Sequence, residues 1–296
     1  MATAEQIRTV LRTTWHRAAD QCVAQPAGLC SVNWAVTAGD QRYVARVVES
    51  RRRAPFEAGL AVAEYLAGHE LPAATPVRAV DGAAVGSLGD EVVALVRALP
   101  GRALDAADPV DQQWWGDALG TAHRELASFR HAGLARWHSV RPDAAHLGIE
   151  DWVRPAVGAA VAAVRKLTIT DQLTYGVLHG DPAPTAFRLD PQTGRLGLVD
   201  WGPAGSGPLA YDVAAALGYA GPDGAPDLVA AYLAAGPVPR EELEAALPTM
   251  VLFRWAVRAD HHARRLTAAR RAGGTGADED RAGLDAAREA LAGLAD

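Results

Sequence analysis

The sequence predicts an α+β fold in two lobes. A small N-terminal lobe over residues 1–99 is built on an antiparallel sheet, and a larger, mainly helical lobe spans 100–296. Three observations carry this reading. Short apolar segments separated by turn residues run from Val32 to Val96, the pattern of paired strands. After Gly101 the composition turns helical. The length of 296 residues suits one large domain or two lobes, and 49% hydrophobic content is ample for a packed core.

Composition excludes several classes. A net charge of −6 argues against nucleic acid as a partner. Lys166 is the only lysine, so nearly all positive charge is arginine. Cys22 and Cys30, the only cysteines, are too few for a disulfide framework and lack zinc spacing, so a cytoplasmic setting is expected. The first twenty residues carry no apolar leader run, and no segment reaches membrane-spanning length, so no membrane partner is expected.

In chain order, Ile7, Val10, Leu11 and Trp15 fall at helical spacing in a short helix over residues 4–19. Val32, Trp34 and Val36 alternate with smaller residues in a strand. Ala38-Gly39-Asp40 turns, and Tyr43 to Val48 returns as a second strand. A helix from about Ala54 to Gly68 stops before Leu71-Pro72 and Thr75-Pro76. Ala84-Val85 and Val92 to Val96 read as two more strands. Asp105, Asp108 and Asp111 read as solvated loop carboxylates. The segment WGDALGTAHREL is helical, and His123 in it reads as a packed core histidine, with no second His or Cys at metal spacing. Residues 128–147 look irregular, and a helix runs from Trp152 to Lys166. Further helices are expected over Leu209–Tyr219 and Pro226–Ala235, another begins over Pro239–Leu247, and a last one spans about Arg281–Leu294 after a loop from Gly273.

The chemistry concentrates between Val177 and Ala214. Val177-Leu178 is a strand and His179 to Ala186 a loop. Phe187–Leu189 and Leu196–Val199 form a hairpin closed by Asp190-Pro191-Gln192-Thr193-Gly194. Paired strands lie about 4.8 Å apart, so the hairpin brings its open ends, Asp181 and Asp200, together. Two neighbouring carboxylates repel, and one way to keep both ionised is a divalent cation, with one of them working as a base beside the metal.

His179-Gly180-Asp181, the strand pair, Asp200-Trp201 and the later Tyr211-Asp212 resemble the aminoglycoside phosphotransferase and choline kinase family, a relative of the protein kinases. The resemblance implies a protein-kinase-like fold, with ATP and Mg2+ as cofactors. Asp181 would accept the proton of the acceptor hydroxyl, Asp200 would hold the metal, and Asp212 would be structural. Ala186 stands where the family carries an Asn as second metal ligand. Thr185 is the nearest oxygen, either a weak ligand or a plain loop residue, because a neutral hydroxyl poorly replaces an amide carbonyl at a hard cation. Arg46 stands at the phosphate-contacting lysine position, where a guanidinium can hold phosphate oxygens bidentately. By the same resemblance Glu57 pairs with Arg46, with Glu64 as the fallback partner. Gly28, Ser31 and Asn33 are candidates for the loop over the phosphates, where an ordinary hairpin loop fits equally well. Val96 to Leu99 resemble the family's hinge, which implies that their backbone groups read the base. The Gly- and Pro-rich run after Asp200 resembles a shortened activation segment and lacks the ending of a Walker loop.

Arg254, Arg258, His261 and Arg265 recur at i, i+4, i+7 and i+11 on one helical face. In the family, C-terminal helices wall the acceptor cleft, so this face implies an anionic or peptide acceptor. A solvated arginine face is the competing reading. The function implied is ATP-dependent phosphoryl transfer to a hydroxyl of an aminoglycoside-like antibiotic, a metabolite or a biosynthetic peptide. The alternative raised by Ala186 is a catalytically impaired pseudokinase that serves as a scaffold for a partner enzyme.

Overall fold

The computed structural model describes residues 2–25, 31–69, 71–137, 140–221, 225–272 and 278–294. Gly28, a candidate for the phosphate loop, and Cys30 lie outside them.

The N-terminal region opens with α1 (Ala4–Trp15), started by a capping box between Thr3 and Gln6. Five strands follow, β1 (Gln21–Ala24), β2 (Val32–Ala38), β3 (Gln41–Glu49), β4 (Gly86–Leu88) and β5 (Glu91–Arg97). They form one antiparallel sheet in the order β1-β2-β3-β5-β4. Between β3 and β4 runs α2 (Arg53–Ala67). Strand alternation sends Tyr43, Ala45 and Val47 to the face covered by α1, where Ile7, Leu11 and Trp15 pack. Val44 and Val48 point to the opposite face, against Phe56 and Leu60 of α2. Arg46 shares that second face by the same period of two, which aims its guanidinium at the space between the sheet and the rest of the chain.

The remainder is mainly helical. Its helices are α3 (Pro109–Glu125), α4 (Val153–Thr170), α5 (Ala210–Ala220), α6 (Pro226–Ala235), α7 (Arg240–Ala272) and α8 (Asp278–Gly293). Trp115, Leu119, Leu178, Phe187 and Phe253 are fully buried in one core that these helices enclose. Two small sheets are set into this region. One has the order β10 (Leu196–Leu198), β9 (Phe187–Leu189), β6 (Arg102–Ala103), and the other β7 (Ala135–Arg136), β11 (Gly205–Pro208), β8 (Tyr175–Leu178). The antiparallel β9–β10 pair is the expected hairpin.

Three sequence expectations change. The Gly- and Pro-rich run after Asp200 contains β11, which pairs antiparallel with β8 and parallel with β7. The glycines make this possible, since a Cβ on Gly207 would fall 2.3 Å from the Trp137 ring. The helix that begins near Pro239 continues through Pro248 to residue 272 as α7. Proline costs that helix one backbone donor, and packing against α4, α5 and α8 carries it through. Asp111 is not a solvated loop residue. It is 2% exposed in the first turn of α3, where it binds Arg102 and accepts the Asp105 N–H at 2.7 Å. Asp108 caps the same helix through the Val110 N–H.

Candidate active site

A cavity of about 490 Å3 lies between the five-stranded sheet and the β9–β10 hairpin, and Asp181, Asp200 and Arg46 all line it. The loop that carries Asp181 is fixed from below. Both Asp212 carboxylate oxygens accept backbone donors, from His179 at 2.6 Å and Gly180 at 3.0 Å. Asp212 is fully buried and also contacts His123 Nε2 at 3.2 Å, while His123 Nδ1 meets the Tyr232 hydroxyl at 2.9 Å. His123 is thus the core histidine the sequence implied, and Asp212 is the structural carboxylate. Gly180 adopts φ +83°, and a Cβ there would sit 2.4 Å from the Pro203 carbonyl oxygen, so only glycine fits.

Asp181 is held by two residues that sequence reasoning did not connect to it. Tyr219 donates its hydroxyl to Asp181 Oδ1 at 2.6 Å, and Arg254 donates Nη2 to the same oxygen. Burial raises the Asp181 pKa, but the Arg254 charge and the Tyr219 hydrogen bond outweigh it and hold the carboxyl below its ordinary value. Burial, with Asp181 beside it, pushes the Tyr219 phenol up to about 12, so it stays a neutral donor. Burial works against the Arg254 charge, yet Tyr211 and Asp181 keep the guanidinium firmly cationic. One Asp181 oxygen is committed to this pair.

Across the cavity, Arg46 is 7% exposed and donates Nη2 to Ser31 Oγ at 3.1 Å and to Asp200 Oδ1. Ser31 in turn donates to Asn33 Oδ1 at 2.9 Å. Asn33 faces Arg46 across β2 and β3. The expected Arg46–Glu57 pair is absent. Glu57 accepts from Arg53, one turn earlier on its own helix, at 3.0 Å, and Glu64 pairs with Arg78. The face of α2 nearest Arg46 is apolar (Phe56, Gly59, Leu60), and Gly59 rides directly on the Trp201 backbone. Asp200 therefore supplies the Arg46 counter-charge. Its backbone sits at φ 64°, one of two non-glycine residues in that region among the described residues.

The Asp200 side chain is 40% exposed to the cavity. Magnesium ordinarily takes one or two carboxylates and completes its shell with phosphate and water oxygens. Asp200 fits that requirement. Ala186, buried at 4%, offers no side-chain ligand, and its carbonyl already accepts from Val199 N–H at 2.8 Å. Thr185 is exposed at the cavity wall. Val96 and Leu99 also line the cavity. The Arg97 and Ala98 N–H groups donate to Thr75 and Arg42 carbonyls at 2.9 and 3.1 Å, leaving the Leu99 N–H without a protein partner among the described residues.

The basic face of α7 is not solvated at its start. Arg254 is 3% exposed. Arg258 is half-buried, with its guanidinium 4.7 Å from the Trp255 ring centroid and 5.6 Å from that of Tyr219. His261 is half-buried, and burial with the nearby His262 and Arg265 charges pushes its pKa down to about 4. Arg265 lies further along and binds Asp280 through Nε at 2.8 and 2.9 Å.

Residues 23–247 match the model of the APH family, described as a phosphotransferase enzyme family. A homoserine kinase from Methylobacillus glycogenes is 28% identical over 245 residues, which span 76% of this chain and 74% of the relative. Among solved structures, the amicoumacin kinase hAmiN in complex with AMP-PNP, Ca2+ and Ami superposes with a TM-score of 0.76 at 15% identity, covering 98% of this chain and 93% of that one. The microcompartment-associated aminopropanol kinase superposes with a TM-score of 0.75 at 18% identity, covering 98% and 96%. Likeness at these identities is one of fold, and that fold is the kinase-like α+β architecture.

Proposed function

The chain belongs to the phosphotransferase enzyme family, and from that premise we propose that it transfers the γ-phosphoryl group of ATP to a hydroxyl of a small molecule. One juxtaposition carries the reading: Asp181, ionised and oriented, shares a single cavity with Asp200 and Arg46. The nucleotide-binding lobe is residues 1–99 and the catalytic lobe 100–296. The adenine lies toward Val96 and Leu99, where an unpartnered backbone N–H suits a base edge.

Asp181 orients the acceptor hydroxyl through its free oxygen and takes its proton. The acceptor oxygen bonds to the γ-phosphorus as the bond from that phosphorus to the β–γ bridging oxygen breaks, and the electron pair stays on ADP. Arg46, with Ser31 and Asn33 beside it, faces the phosphates and offsets their charge. Asp200 would hold Mg2+, which when bound neutralises the phosphate oxygens, and Thr185, which lines the same cavity, would contribute a weak ligand. Positioning and electrostatics make up most of such catalysis.

Ala186 favours a second reading, a pseudokinase that binds a partner enzyme. Titration calorimetry with ATP, with and without magnesium and with GTP in parallel, separates the two. Magnesium-dependent binding, followed by ADP release when a hydroxyl compound is added, is the result expected of the enzyme. Absence of nucleotide binding under every condition would sink it.

A further inference from the structure

A second cavity, of about 310 Å3, opens beside the candidate base. Its inner wall includes Tyr219 and Arg254, the two side chains that hydrogen-bond Asp181 Oδ1. An acceptor whose hydroxyl reaches Asp181 from this side leaves the rest of its atoms in the cavity. The size suits a small molecule.

The charge of this cavity is one-sided. Arg258 lies over two aromatic rings, and among the described residues no carboxylate forms an ion pair with it. Asp260 is the one carboxylate lining the cavity among the described residues, and it is already engaged by His146 Nε2 at 2.7 Å and by Arg264. Arg254 is matched by Asp181. Among the described residues Arg258 is thus a half-desolvated cation at the cavity wall with no carboxylate in ion-pair contact, and Asp181 attracts it only at longer range. A polycationic acceptor would need free carboxylates at this wall and would meet a guanidinium instead.

Resting on the phosphotransferase reading, we propose that the acceptor is a small hydroxyl compound bearing an oxyanionic group, a carboxylate or a phosphate, which Arg258 receives. Tyr219 joins the two ends of this site, since its hydroxyl is on Asp181 and its ring lies under Arg258. Phosphoryl transfer itself proceeds as described, with the acceptor proton going to Asp181.

The test uses the full chain with ATP and magnesium, and four acceptors: glycerate, glycerol 3-phosphate, 1-amino-2-propanol and kanamycin. ADP release and phosphorylated product are measured for each. The expected result is turnover of glycerate or glycerol 3-phosphate, and which of the two is used decides between carboxylate and phosphate. Arg258→Met keeps the packing volume and removes the charge. It should raise KM for the anionic acceptor roughly 10- to 100-fold while kcat stays within about threefold, the signature of lost ground-state binding. Arg258→Lys should recover part of that loss, and Arg258→Glu should shift preference toward the amino alcohol. Turnover of the cationic acceptors alone, or of no acceptor while Mg-ATP still binds, overturns the inference by itself, as does an unmoved KM in Arg258→Met. Failure to bind Mg-ATP at all overturns the phosphotransferase reading beneath it.

Discussion

Arg254 on α7 reaches back 73 residues to hydrogen-bond Asp181, and both groups lie largely out of water. A buried ion pair adds little net stability, because desolvation offsets most of its Coulomb attraction, but removing one partner leaves an uncompensated charge. The pair therefore makes sense as a device for keeping one carboxylate ionised and aimed.

Arg254→Met should show this in a pH profile. Burial alone raises the Asp181 pKa, and Arg254 and Tyr219 bring it below the ordinary value. The native carboxylate thus contributes stability above the unfolded pKa of about 3.9, and loses it as pH falls through the lower folded value. Without Arg254 the folded pKa rises, so the acidic limb of kcat/KM should begin at higher pH. The variant should also lose roughly 3–5 kcal/mol of stability to urea. An unmoved acidic limb would detach Arg254 from the base.

Asp181→Asn keeps the shape of the loop and removes the proton acceptor. Turnover should fall by roughly 10²- to 10⁴-fold. Mg-ATP affinity by calorimetry should stay near that of the parent chain. Full turnover in this variant would remove Asp181 from its assigned role.

Ala186→Asn adds an amide oxygen at a buried position that lines the cavity shared by Asp181 and Asp200. Magnesium-dependent ATP affinity should tighten by about tenfold, equivalent to ~1.4 kcal/mol. Unchanged affinity would mean that residue 186 is not presented to the cation.

Gly59→Ala probes the seat of α2. The added methyl would meet the Trp201 carbonyl oxygen at 2.1 Å, against backbone that cannot swing aside. Thermal unfolding should reveal a loss of roughly 1–3 kcal/mol, accompanied by weaker Mg-ATP binding because Asp200 precedes Trp201. Gly158→Ala in α4 is the control. Nothing lies within 4 Å of its added methyl, so it should be neutral or stabilising by up to about 1 kcal/mol.

The hairpin with Asp181 and Asp200 at its ends was legible because its information is local: two short strands, a turn and a contiguous motif. Three strands of the sheet were legible for the same reason, while the strand expected at Ala84-Val85 forms at Gly86–Leu88 and β1 (Gln21–Ala24) went unread; Arg46 was placed by the family resemblance. Pairings between distant elements were not. Glu57 has the right residue type on the expected helix, but Arg53 one turn away captures it, and the α2 face toward Arg46 is apolar. Arg254 could be placed on a basic stripe, yet its partner is fixed only by how α7 packs beneath the loop. Strand β11 escaped because a run of Gly and Pro carries no strand propensity, and it pairs only since its neighbours approach too closely for larger side chains.

The left-handed backbone of Asp200 sets two local costs against each other. Side chains in that region cost of order 1–3 kcal/mol where glycine costs little. Asp200→Gly would relax the chain there, yet it would also strip the buried Arg46 guanidinium of its counter-charge. Glycine at this position is therefore no shortcut to a more heat-resistant chain, because an unpaired cation offsets what the backbone gains.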